Sequence, residues 1–131
     1  EKEYMQRLFT EIRKADGGLS CYGEDEVRQS LDMGAVDMLL ISESLSKRRV
    51  TVQCPSGHKH ELTVKDADER IDCPECGAAA TVIKDEDLID DFFMRADAFN
   101  TRVQIISPDS EEGDMLLKAF GGIAAILRYK V

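Results

Sequence analysis

Ala35-Val36-Asp37-Met38-Leu39-Leu40-Ile41-Ser42 is the stretch on which the fold turns. Its apolar residues run almost without a break, as in a strand covered on both faces; a half-exposed strand would alternate. Just upstream, residues 24–33 read as a helix with Val27 and Leu31 inward, stopped by Gly34. Residues 19–22 form a short strand, and residues 3–15 an amphipathic helix. In that helix Tyr4, Leu8 and Ile12 recur at i, i+4 and i+8, with Met5 and Phe9 beside them. Asp16-Gly17-Gly18 suits a left-handed C-terminal cap.

Downstream, the same alternation resumes after an interruption. Residues 85–99 read as a helix with Leu88, Phe92 and Ala96 inward, its stripe widened by Ile89 and Phe93. Asp85, Glu86 and Asp87 fall in its expected first turn, where the helix dipole favours negative charge, and residues 85–91 read as a solvated face. A strand follows at 103–106. Pro108 and Asp109 open the next helix, with Asp109 and Glu112 in capping-box spacing and Leu116, Leu117 and Phe120 on its apolar face. Gly121-Gly122 ends it, and residues 123–131 form the last strand. Strands alternating with helices predict an α/β sandwich around a mostly parallel or mixed sheet, built from residues 1–46 and 84–131.

The interruption, residues 47–83, has a different grain: short alternating stretches at 49–52, 61–64 and 80–83 separate two cysteine-bearing turns. It reads as an inserted ribbon. Its turns are Cys54-Pro-Ser-Gly-His58-Lys-His60 and Cys73-Pro-Glu-Cys76-Gly. Two thiolates three residues apart can grip one ion from a tight turn, and Gly77 lets the backbone aim its amides at the sulfurs. Zinc takes four tetrahedral sulfur or nitrogen ligands. Cys54, Cys73 and Cys76 supply three; position 57 is Gly, so a histidine is expected as the fourth. The bend at Gly57 favours His58, with His60 as the alternative. From Lys59 to Asp72 the chain holds 14 residues, the usual interval between two zinc half-sites. Three thiolates and an imidazole close the shell, so the expected Zn2+ is structural, not catalytic. Free buried cysteines and a redox C-x-x-C are the competing readings; the latter needs a strand-to-helix setting. Cys21, in an apolar context, reads as a small core residue.

At 131 residues the chain is one ordinary domain, 43% hydrophobic and 33% charged, composed like a globular rather than a disordered protein. Lys and Arg number 17 against 26 Asp and Glu, a net charge of −9. Nucleic-acid binding draws on Lys and Arg displacing counterions, so this balance argues for a protein partner, Lys47-Arg48-Arg49 being the one local basic run of note. No run is long and apolar enough to span a membrane. Cysteines in metal spacing imply a reducing, cytoplasmic setting. The chain opens on Glu1, as expected for a piece of a longer protein. Enzymatic signatures are missing: no phosphate-cradling G-x-x-x-x-G-K-[ST], no G-x-G-x-x-G, no G-x-S-x-G. Both histidines lie in the cysteine segment, leaving none for a nucleophile–histidine pair, so no enzyme is expected.

Three segments together resemble the C-terminal domain of the class-one peptide chain release factors of archaea and eukaryotes: Cys21-Tyr22-Gly23-Glu24-Asp25-Glu26-Val27, then Leu31 through Ser42, then Phe120-Gly121-Gly122-Ile123-Ala124-Ala125-Ile126-Leu127-Arg128-Tyr129. The ribbon looks like the archaeal form; the related rescue factor Pelota shares the domain and normally lacks the ribbon. The resemblance implies an α-β-α sandwich like that of kink-turn-binding ribosomal proteins and a role in translation termination. It implies docking of a partner GTPase, elongation factor 1-alpha in archaea, and of an ABC-type ribosome-recycling ATPase, on the ribosome in the full-length protein. Peptidyl-tRNA hydrolysis in that family belongs to another domain carrying Gly-Gly-Gln. The family's GTPase contact maps to residues 125–129 and 7–12 here, with Ala125 in place of a glycine. Arg7, Phe9, Leu127, Arg128 and Tyr129 are the contact residues so implied. An RNA-binding module of the kink-turn type, the rescue factor and an uncharacterised zinc enzyme are the alternatives.

Overall fold

In the computed structural model, which describes residues 2–14, 18–66 and 70–129, the deciding stretch is strand β2 (Val36–Ser42). Around it, in chain order, run α1 (Lys2–Ile12), β1 (Ser20–Tyr22), α2 (Glu24–Asp32), β2, β3 (Arg48–Gln53), β4 (Lys59–Val64), β5 (Ile71–Asp72), β6 (Ala79–Asp87), α3 (Leu88–Ala98), β7 (Arg102–Ile106), α4 (Glu111–Ala119) and β8 (Ile123–Leu127). The described residues thus form a mixed α/β fold with two sheets and four helices. None of these helices is long and apolar enough to cross a membrane. Ala15 at the end of the expected first helix, Asp16 and Gly17 of the expected cap, and Lys130 and Val131 of the expected last strand lie outside the described residues, while Gly18, the cap's third residue, has a left-handed φ of 56°.

The chain divides into two units, Glu1–Leu45 with Phe92–Val131, and Ser46–Asp91. In the first, the strand order is β1-β8-β2-β7. β2 runs parallel to β7 and antiparallel to β8, and β1 runs antiparallel to β8. β2 and β8 are therefore the inner strands, which is why their apolar residues are continuous: Val36, Leu39, Leu40 and Ile41 are fully buried, and so are Ile123 to Ile126. Successive strand residues face opposite sides. Met38, Leu40, Ala124 and Ile126 join Met5, Leu8 and Phe9 of α1, Leu116 of α4 and Ile106 in one core cluster. Leu39, Ile41 and Ala125 point the other way. Val27 and Leu31 of α2 are also buried, and the Arg28 guanidinium lies 4.9 Å over the Phe92 ring of α3.

Three expected boundaries move. Asp85, Glu86 and Asp87 are not the first turn of a helix; they continue β6, opposite Val50, Arg49 and Arg48 of β3. Arg48 Nε lies 2.9 Å from Asp85 Oδ1 and Arg48 Nη1 3.8 Å from Asp87 Oδ2, so strand pairing and cross-strand charge outweigh the dipole preference. Asp87 then caps the helix it precedes, its Oδ1 accepting from the Ile89 amide at 2.9 Å. At α4 the cap is Ser110, not Asp109: Ser110 is extended and its Oγ accepts from the Gly113 amide at 2.9 Å, while the Asp109 amide donates to Ser107 Oγ. The last strand stops at Leu127, where the pairing with Val36 ends.

The second unit holds an antiparallel sheet ordered β4-β3-β6-β5. Its buried residues are Val50, Val52 and Ile71, packed against half-buried Leu62, Val64, Ala80 and Val82. The Leu88 amide donates to the Lys47 carbonyl at 3.0 Å, tying the end of the segment to its start.

Candidate metal centre

Two turns of this sheet carry the ligand-bearing side chains. Cys54 leaves β3 and His58 leads into β4; the Gly57 amide donates to the Cys54 carbonyl, and the Cys54 amide to the His58 carbonyl. Cys73 leaves β5 and Cys76 leads into β6; the Gly77 amide donates to the Cys73 carbonyl, and the Cys73 amide to the Ala78 carbonyl. Gly57 and Gly77 have φ of 92° and 73°, a left-handed conformation that glycine adopts without strain. The two turns thus share a backbone hydrogen-bond pattern, the first carrying one cysteine and a histidine and the second two cysteines.

One donor atom from each of Cys54, His58, Cys73 and Cys76 lies within 4.8 Å of the others. His58 Nδ1 stands 3.3 Å from Cys54 Sγ and 3.7 Å from Cys73 Sγ. Sulfur and nitrogen ligands of one tetrahedral zinc stand about 3.5 Å apart, so these spacings suit an ion between them. Cys54 and Cys73 are buried, His58 is half-buried and Cys76 is exposed.

The local field favours thiolate. For Cys54, desolvation pushes the thiol up, but the His58 amide, the Cys76 thiol and the Ser56 amide outweigh it and hold it at about 7. Cys73 is likewise lowered against desolvation, by the amides of Cys76 and Glu75. Cys76 is helped down by the Ala78 amide but raised overall by its neighbours Cys73 and Cys54. His58 is raised, first by its contact with Cys73. A soft, partly ionised sulfur set with one imidazole could hold a metal ion of zinc's preferences.

His60 stands outside this set. It lies in β4 opposite Val52, its Nε2 3.5 Å from Glu75 Oε1. Glu75 also reaches His58, with Oε2 3.1 Å from Nε2. Nothing in the spacing of the cysteines marks Glu75; only the folded turn brings it to both rings. Cys21 is buried with Sγ 3.6 Å from Ser30 Oγ, and desolvation raises its thiol.

The residues expected to contact a partner fall into two groups. Phe9, 9% exposed, and Leu127, 3% exposed, are core residues: Phe9 packs 6.2 Å from the Phe120 ring and Leu127 ends an inner strand. Their side chains are not presented to a partner. Arg7, Arg128 and Tyr129 are exposed. Arg7 pairs with Asp37 at 3.1 Å, and Asp37 also receives Arg102 at 3.4 Å. Arg128 donates to the Phe99 and Asn100 carbonyls, and the Tyr129 hydroxyl to the Met33 carbonyl at 3.1 Å. Strand pairing puts the start of β2, the start of β7 and the end of β8 at one end of the sheet, and these residues cluster there. Two of the three residues of the basic run are matched internally: besides the Arg48 pairs, Arg49 Nη1 donates to Thr63 Oγ1 and its Nη2 lies 3.7 Å from Glu61.

The family model described as eRF1 domain 3 matches residues 1–131. Peptide chain release factor subunit 1 of Methanobrevibacter smithii is 46% identical over 136 residues, spanning 100% of this chain and 33% of that protein. The solved C-terminal domain of a peptide chain release factor from Methanosarcina mazei aligns with a TM-score of 0.85 at 41% identity, over 98% of this chain and 81% of that one. Archaeal Pelota, from a model of its ribosome-bound form with ABCE1, aligns with a TM-score of 0.60 at 22% identity over 99% of this chain and 26% of that one, a likeness of fold alone. The chain belongs to the eRF1 domain 3 family. It spans about a third of the length of the release factors it matches, corresponding to their C-terminal part.

Proposed function

We propose that this chain is the C-terminal docking domain of a cytoplasmic, archaeal-type peptide chain release factor and serves translation termination without catalysing a reaction itself. In this reading residues 1–46 and 84–131 form the α-β-α sandwich, and residues 47–83 an inserted ribbon held by one structural Zn2+ on Cys54, His58, Cys73 and Cys76. When bound, the ion supplies a crosslink between the two turns. The sandwich docks the translational GTPase, elongation factor 1-alpha, and the ABC-type recycling ATPase on the ribosome; stop-codon reading and peptidyl-tRNA hydrolysis are the work of other domains of the whole factor. The observation that carries the reading is the full-length match to eRF1 domain 3. The chain's charge of −9 and the internal pairing of its Arg48 and Arg49 support a protein partner over kink-turn RNA.

Arg7, Arg128 and Tyr129 carry the GTPase contact, since exposed Arg and Tyr are typical interface anchors. Phe9 and Leu127 act from beneath by holding α1 and β8. The test is a binding titration with elongation factor 1-alpha in its GTP form. The intact domain binds, and Arg128→Ala weakens binding by roughly tenfold or more, a loss of about 1.4 kcal/mol. Absence of binding, or an Arg128→Ala variant that binds equally well, rejects the reading. A salt-sensitive complex with kink-turn RNA favours the alternative.

A further inference from the structure

The ring that completes the metal centre is held from its far edge by a carboxylate. His58 presents Nδ1 to the cysteine sulfurs, 3.3 Å from Cys54 and 3.7 Å from Cys73. Its other nitrogen, Nε2, is 3.1 Å from Glu75 Oε2. A neutral imidazole has one ring proton, and an Nδ1 that donates its lone pair to a metal requires that proton on Nε2. A carboxylate acceptor beside Nε2 selects that tautomer and fixes the ring's rotation. Metal-binding histidines are characteristically braced in this way, and the brace also raises the basicity of the ligand nitrogen.

Glu75 is exposed, its side chain 54% accessible, and a lone surface carboxylate would sample several rotamers. Two features restrict it. Its backbone sits between Cys73 and Cys76, so an ion gripped by those thiolates pins the turn that carries it. Its second oxygen, Oε1, stands 3.5 Å from His60 Nε2. That nitrogen is shut off from solvent and forms no hydrogen bond of good geometry among the described residues. His60 itself is fixed in the ladder opposite Val52. A small rotation of the Glu75 carboxylate gives the buried nitrogen the partner it lacks, and such a group is costly to leave unpaired.

We propose that Glu75 is a positioning residue of the metal centre, bracing His58 as an Nδ1 ligand, and that His60 serves the centre indirectly by holding the Glu75 carboxylate. The proposal rests on the metal reading given above. It assigns the second histidine of the ribbon a role that ligation does not.

The test uses the whole chain loaded with zinc, in wild-type form and as Glu75→Ala, Glu75→Gln and His60→Ala. Zinc affinity is read by competition with a chromophoric chelator, and the His58 ring by nitrogen NMR. Glu75→Ala is expected to weaken zinc binding roughly 10- to 100-fold and to shift the His58 Nε2–H signal. Glu75→Gln keeps a carbonyl acceptor and recovers most of the affinity, which a purely structural loss would not allow. His60→Ala falls between Glu75→Ala and wild type. A wild-type chain that takes up no zinc overturns the metal reading and this proposal with it. A zinc-loaded wild type alongside a Glu75→Ala variant of equal affinity, or with an unchanged His58 ring signal, overturns the bracing alone.

Discussion

The two units of this chain are each built on a four-stranded sheet, yet their apolar cores differ in size. In the first, buried side chains from α1, α4 and the inner strands meet in one cluster that runs from Met5 to Ile126. In the second, the apolar cluster holds three buried residues, Val50, Val52 and Ile71, one of them in an edge strand. Fully burying a large apolar side chain contributes about 1.5–3 kcal/mol, so three leave little after the backbone is ordered. This unit also carries Cys54, His58, Cys73 and Cys76, whose donor atoms lie within 4.8 Å of one another and could hold a metal ion. Apolar area accumulates with size, whereas a metal crosslink acts at one point, so a small element can be folded by ligation where it could not be folded by its core.

The contrast is most exposed by removing the ligation. Chelating the metal, or replacing Cys73 with Ser, should unfold the ribbon while leaving the first unit's sheet intact, because ligation is worth on the order of 10 kcal/mol to a domain of this kind. Hydrogen exchange reads the outcome: amides of β3 and β6 lose protection and those of β2 and β8 keep it. Protected ribbon amides after chelation would break the comparison, since the small core would then suffice. The converse is Leu39→Ala, which empties a fully buried site in an inner strand. It should cost about 2–5 kcal/mol by urea unfolding of the first unit. A smaller loss would mean that the sheet repacks around the cavity.

Acid should separate the units next. The Cys54 thiol sits at about 7, below its ordinary value of 9.0, so the folded ribbon favours the thiolate. Stability from a lowered group is fully present above the ordinary value and disappears as pH falls through the folded one. Protons then also compete with metal for the sulfur. Zinc affinity should therefore weaken as pH falls, by up to about tenfold per pH unit for each ligand that must lose a proton. Cys76, raised from its ordinary value, already competes with a proton above about pH 7, and Cys54 joins it below about 7. Competition titrations at several pH values check this, and a flat profile between pH 8 and 6 would contradict it. The smallest effect is expected from Arg48→Ala. Its pair with Asp85 is more than a third exposed, so the loss should be roughly 0.2–1 kcal/mol and should diminish in high salt.

Most elements of the first unit could be read from local pattern. A strand buried on both sides must be apolar throughout, and β2 and β8 are. A helix lying on a core must repeat every three to four residues, and α1 does. The cysteine turns were legible for a similar reason: Cys73 and Cys76 on one tight turn are close in space because they are close in sequence. The misread boundary at Asp85 had a non-local cause. Those acids suit a helix start, and they lie in a strand because Arg48 and Arg49 stand opposite them, 37 residues away in the case of the Arg48–Asp85 bond.

What the sequence by itself determined was therefore the alternation of helices and strands, the acidic balance, the two cysteine turns and the resemblance to release factors. Tertiary structure decided which side chains meet. It put Phe9 inside, in the cluster under α1, and Leu127 inside at the end of inner strand β8, and left Arg128 and Tyr129 outside just past that end. It also turned His58 toward the sulfurs and His60 away from them, and brought Glu75 to both rings. Residue type and spacing act along the chain, but the environment of a side chain depends on partners that only folding brings within a few ångströms.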